Sequence, residues 1–391
     1  MKKIVSFVIV TVLCLCSFSA VAKSSPFCTL DPEKINASSF ILLEADTGTV
    51  VIEQDADRKL PMASITKLMV LLIADDMIEE GKLSLDEIVT GTATAKATPG
   101  SRVYLDEGEE MTLDDILKCI SIPSANDAAV ALAEHISGNE EEFVKLMNKK
   151  ASEMGLENTH YVTASGLDAE NHYSTARDIS KLSREILLNH PLIMEHAVMT
   201  DETIRNGKFP LINTNNLISN YPYATGLKTG TTDNAGYCLT ATAEKDGVKL
   251  IAVVLNADSG PKRFSDARTL FEYAFSDFSI VELHKQGTLT DEDGKPVTAP
   301  VKRGNKAAVQ LAVEKSVTAY IPTKYQNKVS VDIVVDKNLK APLKKGAVVG
   351  KIKIFAGDVL VETRDVVTAH PVKKMNFFQS IMHIFNSWLS F

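Results

Sequence analysis

The sequence has little cysteine and no spacing typical of metal ligands. Beyond the first twenty residues only Cys28, Cys119 and Cys238 occur, and an odd number does not make a disulfide framework. Neither C-x-x-C nor H-x-x-x-H is present, so no zinc site is predicted. We expect three small buried residues, and one disulfide that includes Cys28, formed outside the cell, is the alternative.

The chain also lacks a basic excess, internal repeats and low-complexity segments. Its formal net charge is −8, with 42 basic and 50 acidic residues. A basic face is therefore not expected, and no nucleic-acid partner is predicted. Apolar residues make up 45% of the 391 residues, which is ordinary for a globular protein with two or three domains.

The first segment has the pattern of a secretion signal. Two lysines precede a largely apolar run over residues 4–18, and Ala20-Val21-Ala22 offers small residues to a signal peptidase. We predict a signal peptide over residues 1–22 and an exported mature chain. Leucine precedes both Cys14 and Cys16, which disfavours a lipoprotein signal, and an uncleaved anchor is the other alternative.

Residues 23–283 show strand patterns at both ends of a mainly helical stretch. A strand, turn and strand are predicted over 40–52, and a helix over 64–80. Helical spacing continues to about residue 200, three strands follow over 226–255, and a last helix covers 263–278. An antiparallel sheet covered by helices, an α+β fold, is the prediction for this domain.

Two further units follow. Short alternating Val/Ile segments predict a small all-β domain over residues 284–370. Residues 371–391 combine a polar stripe with nine large apolar residues after two lysines, too polar and short to span a bilayer. We predict an amphipathic helix that lies in the membrane surface through Lys373–Phe391. Packing on the β-domain or on a dimer partner is the alternative.

Ser64-Ile65-Thr66-Lys67 opens a predicted helix. Residues three apart share a helix face, so Ser64 and Lys67 would be neighbours. A serine hydroxyl becomes a nucleophile when a base takes its proton, and a lysine with a lowered pKa can be that base. Taken alone, Ser64 would be an ordinary helix N-cap.

Two more motifs follow, Ser124-Ala125-Asn126 before a predicted helix and Lys228-Thr229-Gly230 on a predicted strand. The first could relay a proton and orient Lys67 or a substrate amide, although alone it too resembles an N-cap. The second offers a cation, a hydroxyl and a glycine that a substrate backbone can approach. In this order, the three motifs resemble the S-x-x-K, S-D-N and K-T-G signature of class A β-lactamases and penicillin-binding proteins.

Longer segments resemble the low-molecular-mass penicillin-binding proteins, and among them the D-alanyl-D-alanine carboxypeptidases of the S11 serine peptidase family. The segments are Pro61–Met69, Ile122–Glu134, His172–Asp178 and Gly226–Leu239. The resemblance covers about residues 35–280 and implies a β-lactamase/transpeptidase-like catalytic domain. The β-domain and tail resemble that family's second domain and membrane anchor.

The resemblance also implies a reaction. Ser64 would attack the carbonyl between the terminal D-alanines of a peptidoglycan pentapeptide, with Lys67 as base. Ser124 and Asn126 would relay protons and hold substrate. Backbone N–H groups of Ser64 and Thr231 would form the oxyanion hole.

The same resemblance assigns the substrate-binding residues. These are Lys228, Thr229, Gly230, Thr231 and Arg263. Arg263 lies 35 residues beyond Lys228 and would bind the terminal carboxylate, unless it is a surface arginine. No metal or cofactor is implied, because acyl transfer from serine needs none. β-Lactam antibiotics would be covalent inhibitors. The enzyme would lie on the outer face of the cytoplasmic membrane.

Ala125 and Thr231 leave substrate preference open, since the family often has glycine at the first position and varies at the second. A D,D-endopeptidase, a β-lactamase and a non-catalytic wall-binding protein are the alternatives. Glu185–Asn189 matches the E-x-x-L-N pattern of β-lactamases, but its apolar spacing predicts a core-facing helix. We interpret His172 as a structural histidine and Cys238 as a buried strand residue.

Overall fold

The computed structural model describes residues 27–291, 293–377 and 381. The predicted signal peptide over 1–22 lies outside these residues, as does most of the predicted tail helix over 371–391. No helix among the described residues is long and apolar enough to cross a membrane.

The N-terminal region, which the sequence analysis predicts to be catalytic, combines an antiparallel sheet with helices on both faces. Its strands are β1 (Ser39–Glu44), β2 (Val50–Gln54), β3 (Ile88–Thr90), β4 (Glu110–Thr112), β5 (Asp201–Ile204), β6 (Phe209–Ile212), β7 (Ala224–Thr232), β8 (Gly236–Lys245) and β9 (Val248–Ala257). Its helices are α1 (Lys67–Glu79), α2 (Ala93–Ala97), α3 (Leu113–Ser121), α4 (Asn126–Ser137), α5 (Glu140–Glu153), α6 (Ala176–Asn189), α7 (Pro191–Val198), α8 (Leu217–Asn220) and α9 (Gly260–Asp277).

The main sheet has the order β2-β1-β9-β8-β7 with antiparallel pairs throughout, which confirms the predicted α+β class. Two tight turns set its register. The Glu44 carboxylate accepts hydrogen bonds from the backbone of Asp46 and Thr47, and so closes the β1–β2 turn. Asp246 and Gly247 both have positive φ, the conformation that a two-residue hairpin between β8 and β9 requires.

The central strand β9 has apolar residues on both faces. Ile251, Val253 and Leu255 pack into the cluster formed with the helices on one side. Leu250, Ala252 and Val254 pack with α9 on the other side. A strand buried on both faces has a continuous apolar run rather than strict alternation, as β9 does.

The predicted helix over 64–80 begins three residues later than expected. Ala63–Thr66 form a 3-10 turn, and α1 starts at Lys67. Ala63 has φ of 50°, a left-handed conformation that does not continue a regular helix. The turn is held by close packing against β7, described below.

The C-terminal region is all-β. Its strands are β10 (Phe278–His284), β11 (Gly287–Thr288), β12 (Thr298–Pro300), β13 (Ala308–Val313), β14 (Val317–Pro322), β15 (Val329–Val335), β16 (Val348–Ala356) and β17 (Val359–Thr368). Strand β10 follows α9 directly and pairs with β14. Tyr320 on β14 donates a hydrogen bond to the Ala274 carbonyl on α9 at 2.7 Å, so the two regions are in direct contact.

Candidate active site

Ser64 lies on the 3-10 turn that leads into α1. The side chain of Lys67 is completely buried, and its Nζ lies 2.9 Å from Ser64 Oγ. Residues three apart eclipse one another in a 3-10 helix, so the turn points both side chains the same way. Ser64 is only partly buried. The structure therefore places an accessible hydroxyl against a buried amine.

The surroundings of Lys67 favour its neutral form. Burial, and then the charge of Lys228, hold the Lys67 pKa well below its usual range. Two neighbours can only accept hydrogen bonds: Asn126 Oδ1 at 2.6 Å and the Ser165 carbonyl at 2.5 Å. A neutral amine has two N–H bonds, and these oxygens take both. The lone pair then faces Ser64 Oγ, as a general base requires.

Ser124 and Asn126 lie at the start of α4, and Asn126 contacts this amine. Asn126 Nδ2 donates to the Pro99 carbonyl at 2.6 Å, which orients the amide with Oδ1 toward Lys67. Ser124 has φ of 66°, and its buried Oγ has no hydrogen-bond partner among the described residues. Strained backbone and unpaired buried hydroxyls concentrate at functional sites. Ser124 Oγ is therefore free to exchange a proton.

The K-T-G motif lies on β7, the edge strand next to the Ser64 turn. A Cβ atom on Gly230 would lie 2.7 Å from the Met62 carbonyl oxygen and 3.2 Å from Ser64 N. Glycine therefore lets β7 approach the turn itself, a close contact that the sequence prediction attributed to a substrate backbone. Thr229 Oγ1 lies 2.6 Å from Thr214 Oγ1, which links β7 to the segment after β6.

Two buried cations lie along β7. Lys228 is 1% exposed and no carboxylate of the described residues pairs with it. Burial, and then the charge of Arg263, lower its pKa to about 7. Arg263, on α9, donates to the Gly230 carbonyl at 3.0 Å and to Thr231 Oγ1 at 2.9 Å. The surface-arginine alternative is wrong, because Arg263 is buried against the motif strand.

Several site residues escaped the sequence analysis because they act through backbone atoms. Gly166 has φ of 83°, and a Cβ there would lie 2.1 Å from the Ala63 carbonyl oxygen. Glycine at this position therefore allows the loop to pack against the Ser64 turn, where the Ser165 carbonyl accepts a hydrogen bond from Lys67. Gly100 has φ of 90°, and a Cβ there would lie 2.6 Å from Asn126 Nδ2. In the sequence, only the turn-forming dipeptides Pro99-Gly100 and Ser165-Gly166 indicate these loops.

A buried carboxylate that sequence analysis also missed, Asp127 at the start of α4, holds the loop between α2 and β4 in place. Asp127 accepts from the backbone N–H of Val103 at 3.2 Å and of Leu105 at 3.0 Å. The same loop carries the Pro99 carbonyl that orients Asn126. Asp127 therefore positions the motif amide indirectly. Nothing in its sequence context distinguishes it from any acidic residue in a first helical turn.

The remaining sequence predictions have clear outcomes. His172 Nδ1 accepts from Val162 N, and its Nε2 lies 2.7 Å from Thr66 Oγ1, so it is the satisfied structural histidine expected. Burial lowers its pKa to about 4. Cys119 and Cys238 are buried free thiols, as predicted, and Cys28 is a partly buried free thiol. Glu185 lies on α6 and accepts from the Asn189 amide.

The N-cap interpretation of the first two motifs is wrong. The residues that cap the 3-10 turn and α4 are Met62 and Ala125, and neither makes a side-chain cap hydrogen bond. Ser64 Oγ contacts Lys67 instead, and Ser124 Oγ has no partner among the described residues. Neither serine hydroxyl therefore caps a backbone N–H group at these helix starts.

An antiparallel sheet between helices, with Ser-x-x-Lys on a helix start facing Lys-Thr-Gly on an edge strand, defines the class of penicillin-binding serine enzymes. The model of the D-alanyl-D-alanine carboxypeptidase family matches residues 26–259. The model of the penicillin-binding protein 5 C-terminal domain matches residues 278–374. This chain belongs to the D-alanyl-D-alanine carboxypeptidases of the S11 peptidase family, which confirms the predicted family and the predicted hydrolase class.

Individual relatives agree over nearly the whole length. D-alanyl-D-alanine carboxypeptidase DacF of Bacillus subtilis is 35% identical, over 91% of this chain and 90% of that one. DacC of Escherichia coli is 33% identical, over 92% of this chain and 91% of its own length. The structure of penicillin binding protein 5 from Haemophilus influenzae, at 30% identity, covers 88% of this chain and 100% of its own with a TM-score of 0.81.

Proposed function

We propose that the chain removes the terminal D-alanine from peptidoglycan pentapeptides through an acyl-enzyme on Ser64. Ser64 Oγ attacks the carbonyl between the two D-alanines while Lys67 Nζ takes its proton. The developing oxyanion is bound by the N–H groups of Ser64 and Thr231. Ser124 Oγ passes a proton to the leaving amine, D-alanine departs, and water then hydrolyses the ester. The observation that carries this proposal is the buried Lys67 Nζ that lies 2.9 Å from Ser64 Oγ, where burial holds the lysine pKa well below its usual range.

The specificity for a free carboxyl end follows from β7 in this proposal. Lys228, Thr229 and Arg263 bring two cations and a hydroxyl to the strand beside Ser64, with Gly230 against the nucleophile turn. No carboxylate of the described residues neutralises Lys228, so an incoming carboxylate meets an uncompensated charge. A chain that ends one residue beyond the scissile bond places its carboxylate at this strand.

The proposal is tested by release of D-alanine from diacetyl-Lys-D-Ala-D-Ala. We expect release by the mature protein and none by Ser64→Ala, because only the nucleophile is removed. Ser84→Ala, at an exposed hydroxyl remote in sequence from the motifs, is the matched control and should retain full activity. Release by Ser64→Ala at the wild-type rate would refute the role of Ser64.

The alternative enzymes predict different products. A β-lactamase needs a glutamate that activates the deacylating water, but Glu185 is on α6, where it contacts Asn189 and lies 3.7 Å from His190. We therefore expect a long-lived penicilloyl-enzyme, and rapid steady-state penicillin hydrolysis would contradict this. A D,D-endopeptidase would instead cut cross-linked dimers with little release of free D-alanine.

We further propose an exported enzyme with the domains predicted from sequence. The signal peptide covers 1–22, the catalytic domain 23–283, the β-domain 284–370 and the amphipathic helix 371–391. That helix would hold the enzyme on the outer face of the cytoplasmic membrane through Lys373–Phe391. The support is its amphipathic pattern, with two lysines preceding a broadly apolar face.

The membrane proposal can be tested with one intrinsic probe, because Trp388 is the only tryptophan of the chain. Its fluorescence should shift to shorter wavelength when the mature protein meets anionic vesicles, and less with zwitterionic vesicles. A chain ending at residue 370 should stay in the supernatant when vesicles are sedimented. An unshifted Trp388 spectrum, or equal sedimentation of both chains, would contradict membrane binding through this segment.

A further inference from the structure

A cluster of carboxylates surrounds one buried histidine on the catalytic region, away from the active site. Asp75 and Glu79 are one turn apart on α1, and His190 lies where α6 ends and α7 begins. One ligand atom from each of these three residues lies within 4.8 Å of the other two. Glu185 on α6 adds a further carboxylate oxygen, 3.7 Å from His190 Nε2.

The carboxylates of the cluster face a histidine rather than a lysine or an arginine of the described residues. Asp75 Oδ2 lies 2.7 Å from His190 Nδ1, and both side chains are at most 5% exposed. Among the described residues, no lysine or arginine pairs with Asp75, Glu79 or Glu185.

Another histidine–aspartate contact in the chain differs in this respect. His196 Nε2 lies 3.1 Å from Asp114 Oδ1, and His196 is as buried as His190. There, however, Lys118 pairs with the same carboxylate at 2.7 Å. A carboxylate already neutralised by a lysine gains little from a bound cation. The His196–Asp114 contact is therefore a control for the His190 cluster, because its carboxylate is already paired with a lysine.

We propose that Asp75, Glu79 and His190 form a site for a divalent first-row transition metal ion, with Glu185 as a further ligand. An imidazole together with carboxylates suits Zn²⁺ or Mn²⁺, whereas Ca²⁺ takes six to eight oxygen ligands. Glu79 is exposed, which gives an ion access from solvent.

The proposed site is structural rather than catalytic. Asp75 lies eight residues along α1 from Lys67, about 12 Å at 1.5 Å per residue. A bound ion would join the middle of α1 to the α6–α7 junction, and so brace the helix that carries Lys67. It would take no part in acylation, and the inference does not depend on the proposed reaction.

The test is calorimetric titration of the mature protein, after chelator treatment, with ZnCl₂, MnCl₂ and CaCl₂ at pH 7.5. We expect one Zn²⁺ per chain, bound more tightly than Mn²⁺ and much more tightly than Ca²⁺. Glu79→Gln and His190→Gln should each weaken Zn²⁺ binding about tenfold or more. His196→Gln, the matched control, should bind Zn²⁺ like the unchanged protein.

Thermal unfolding provides a second readout that does not use activity. At a hundredfold excess over the dissociation constant, Zn²⁺ should raise the midpoint by about 5 °C in the unchanged protein and in His196→Gln. Glu79→Gln, at an exposed position, should fold normally yet show little rise. The proposal is overturned if Zn²⁺ does not bind saturably, if Glu79→Gln binds it unchanged, or if His196→Gln abolishes binding.

Discussion

Replacing Lys228 with methionine should make the protein more stable and much less active. Lys228 is buried without a carboxylate partner among the described residues, and its one recorded hydrogen bond, to the Thr229 carbonyl, is long at 3.4 Å. Burial, and then the nearby charge of Arg263, disfavour its ammonium form. Methionine has a similar length and fills the same space without a charge.

The size of the expected stability gain follows from the shift in the Lys228 pKa. Folding lowers the Lys228 pKa from 10.5 to about 7, and each pKa unit is worth about 1.4 kcal/mol. The charged lysine therefore costs at most about 5 kcal/mol at or below pH 7. Allowing for relaxation around the charge, we expect Lys228→Met to gain about 2–4 kcal/mol at pH 7. Acylation by penicillin should fall about 100-fold, because a buried charge that pairs with the ligand carboxylate is lost.

The pH dependence has a definite sign. Below pH 7 lysine is protonated in both folded and unfolded chains, so the full cost is present. Above pH 7 the folded chain releases the proton while the unfolded chain keeps it up to about pH 10.4. The cost therefore shrinks as pH rises above 7, and the stability advantage of Lys228→Met should narrow by up to about 1.4 kcal/mol per pH unit until none is left.

The assay is urea unfolding at pH 7, 8 and 9, followed by circular dichroism. Lys285→Met, at an exposed lysine, is the matched control and should change stability little at any of these pH values. The reasoning is refuted if Lys228→Met is less stable than the unchanged protein at pH 7. It is also refuted if the difference between the two does not depend on pH.

Three further predictions concern other parts of the chain. Gly230→Ala should fold but acylate at least 100-fold more slowly, since its Cβ would meet the Met62 carbonyl oxygen at 2.7 Å; unchanged penicillin labelling would contradict this. Ser124→Ala should slow acylation about 100-fold without losing stability in thermal unfolding, because its hydroxyl has no partner to lose; a large fall in the midpoint would show a structural role. Burial raises the pKa of Glu362 in the folded chain to about 7, although Arg364 opposes this shift. The folded chain therefore holds this proton more tightly than the unfolded chain does, and the free energy of unfolding falls as pH rises from about 4.5 to about 7. Glu362→Gln should be more stable than the unchanged protein at pH 8 and equal to it at pH 4; an advantage of equal size at both pH values would refute the assignment.

The fold was predictable where local patterns carry the information. The β1–β2 turn, the β8–β9 hairpin and the helices from α3 to α6 follow from turn residues and helical spacing, which are local properties. The order of strands in the sheet was not predictable, because β1 pairs with β9, more than two hundred residues away. Such a pairing depends on tertiary contacts that no local pattern encodes.

The site shows the same division. Ser64, Lys67, Ser124, Asn126 and Lys228 were identified because each belongs to a motif of side chains. The Ser165 carbonyl, which also contacts Lys67, was not identified. Every residue has a backbone oxygen, so the sequence does not indicate which one accepts this hydrogen bond. The 3-10 turn was likewise missed, because it depends on the approach of β7 that Gly230 permits.

The most direct test of the account is mass spectrometry of the mature protein after brief exposure to penicillin. The account predicts one penicilloyl adduct per chain, located by digestion on the peptide containing Ser64, and no adduct on Ser64→Ala. Lys67→Met should fold but label far more slowly, because the base that takes the Ser64 proton is absent. An adduct on another residue, or labelling of Lys67→Met at the unchanged rate, would contradict a nucleophile activated by a neutral lysine.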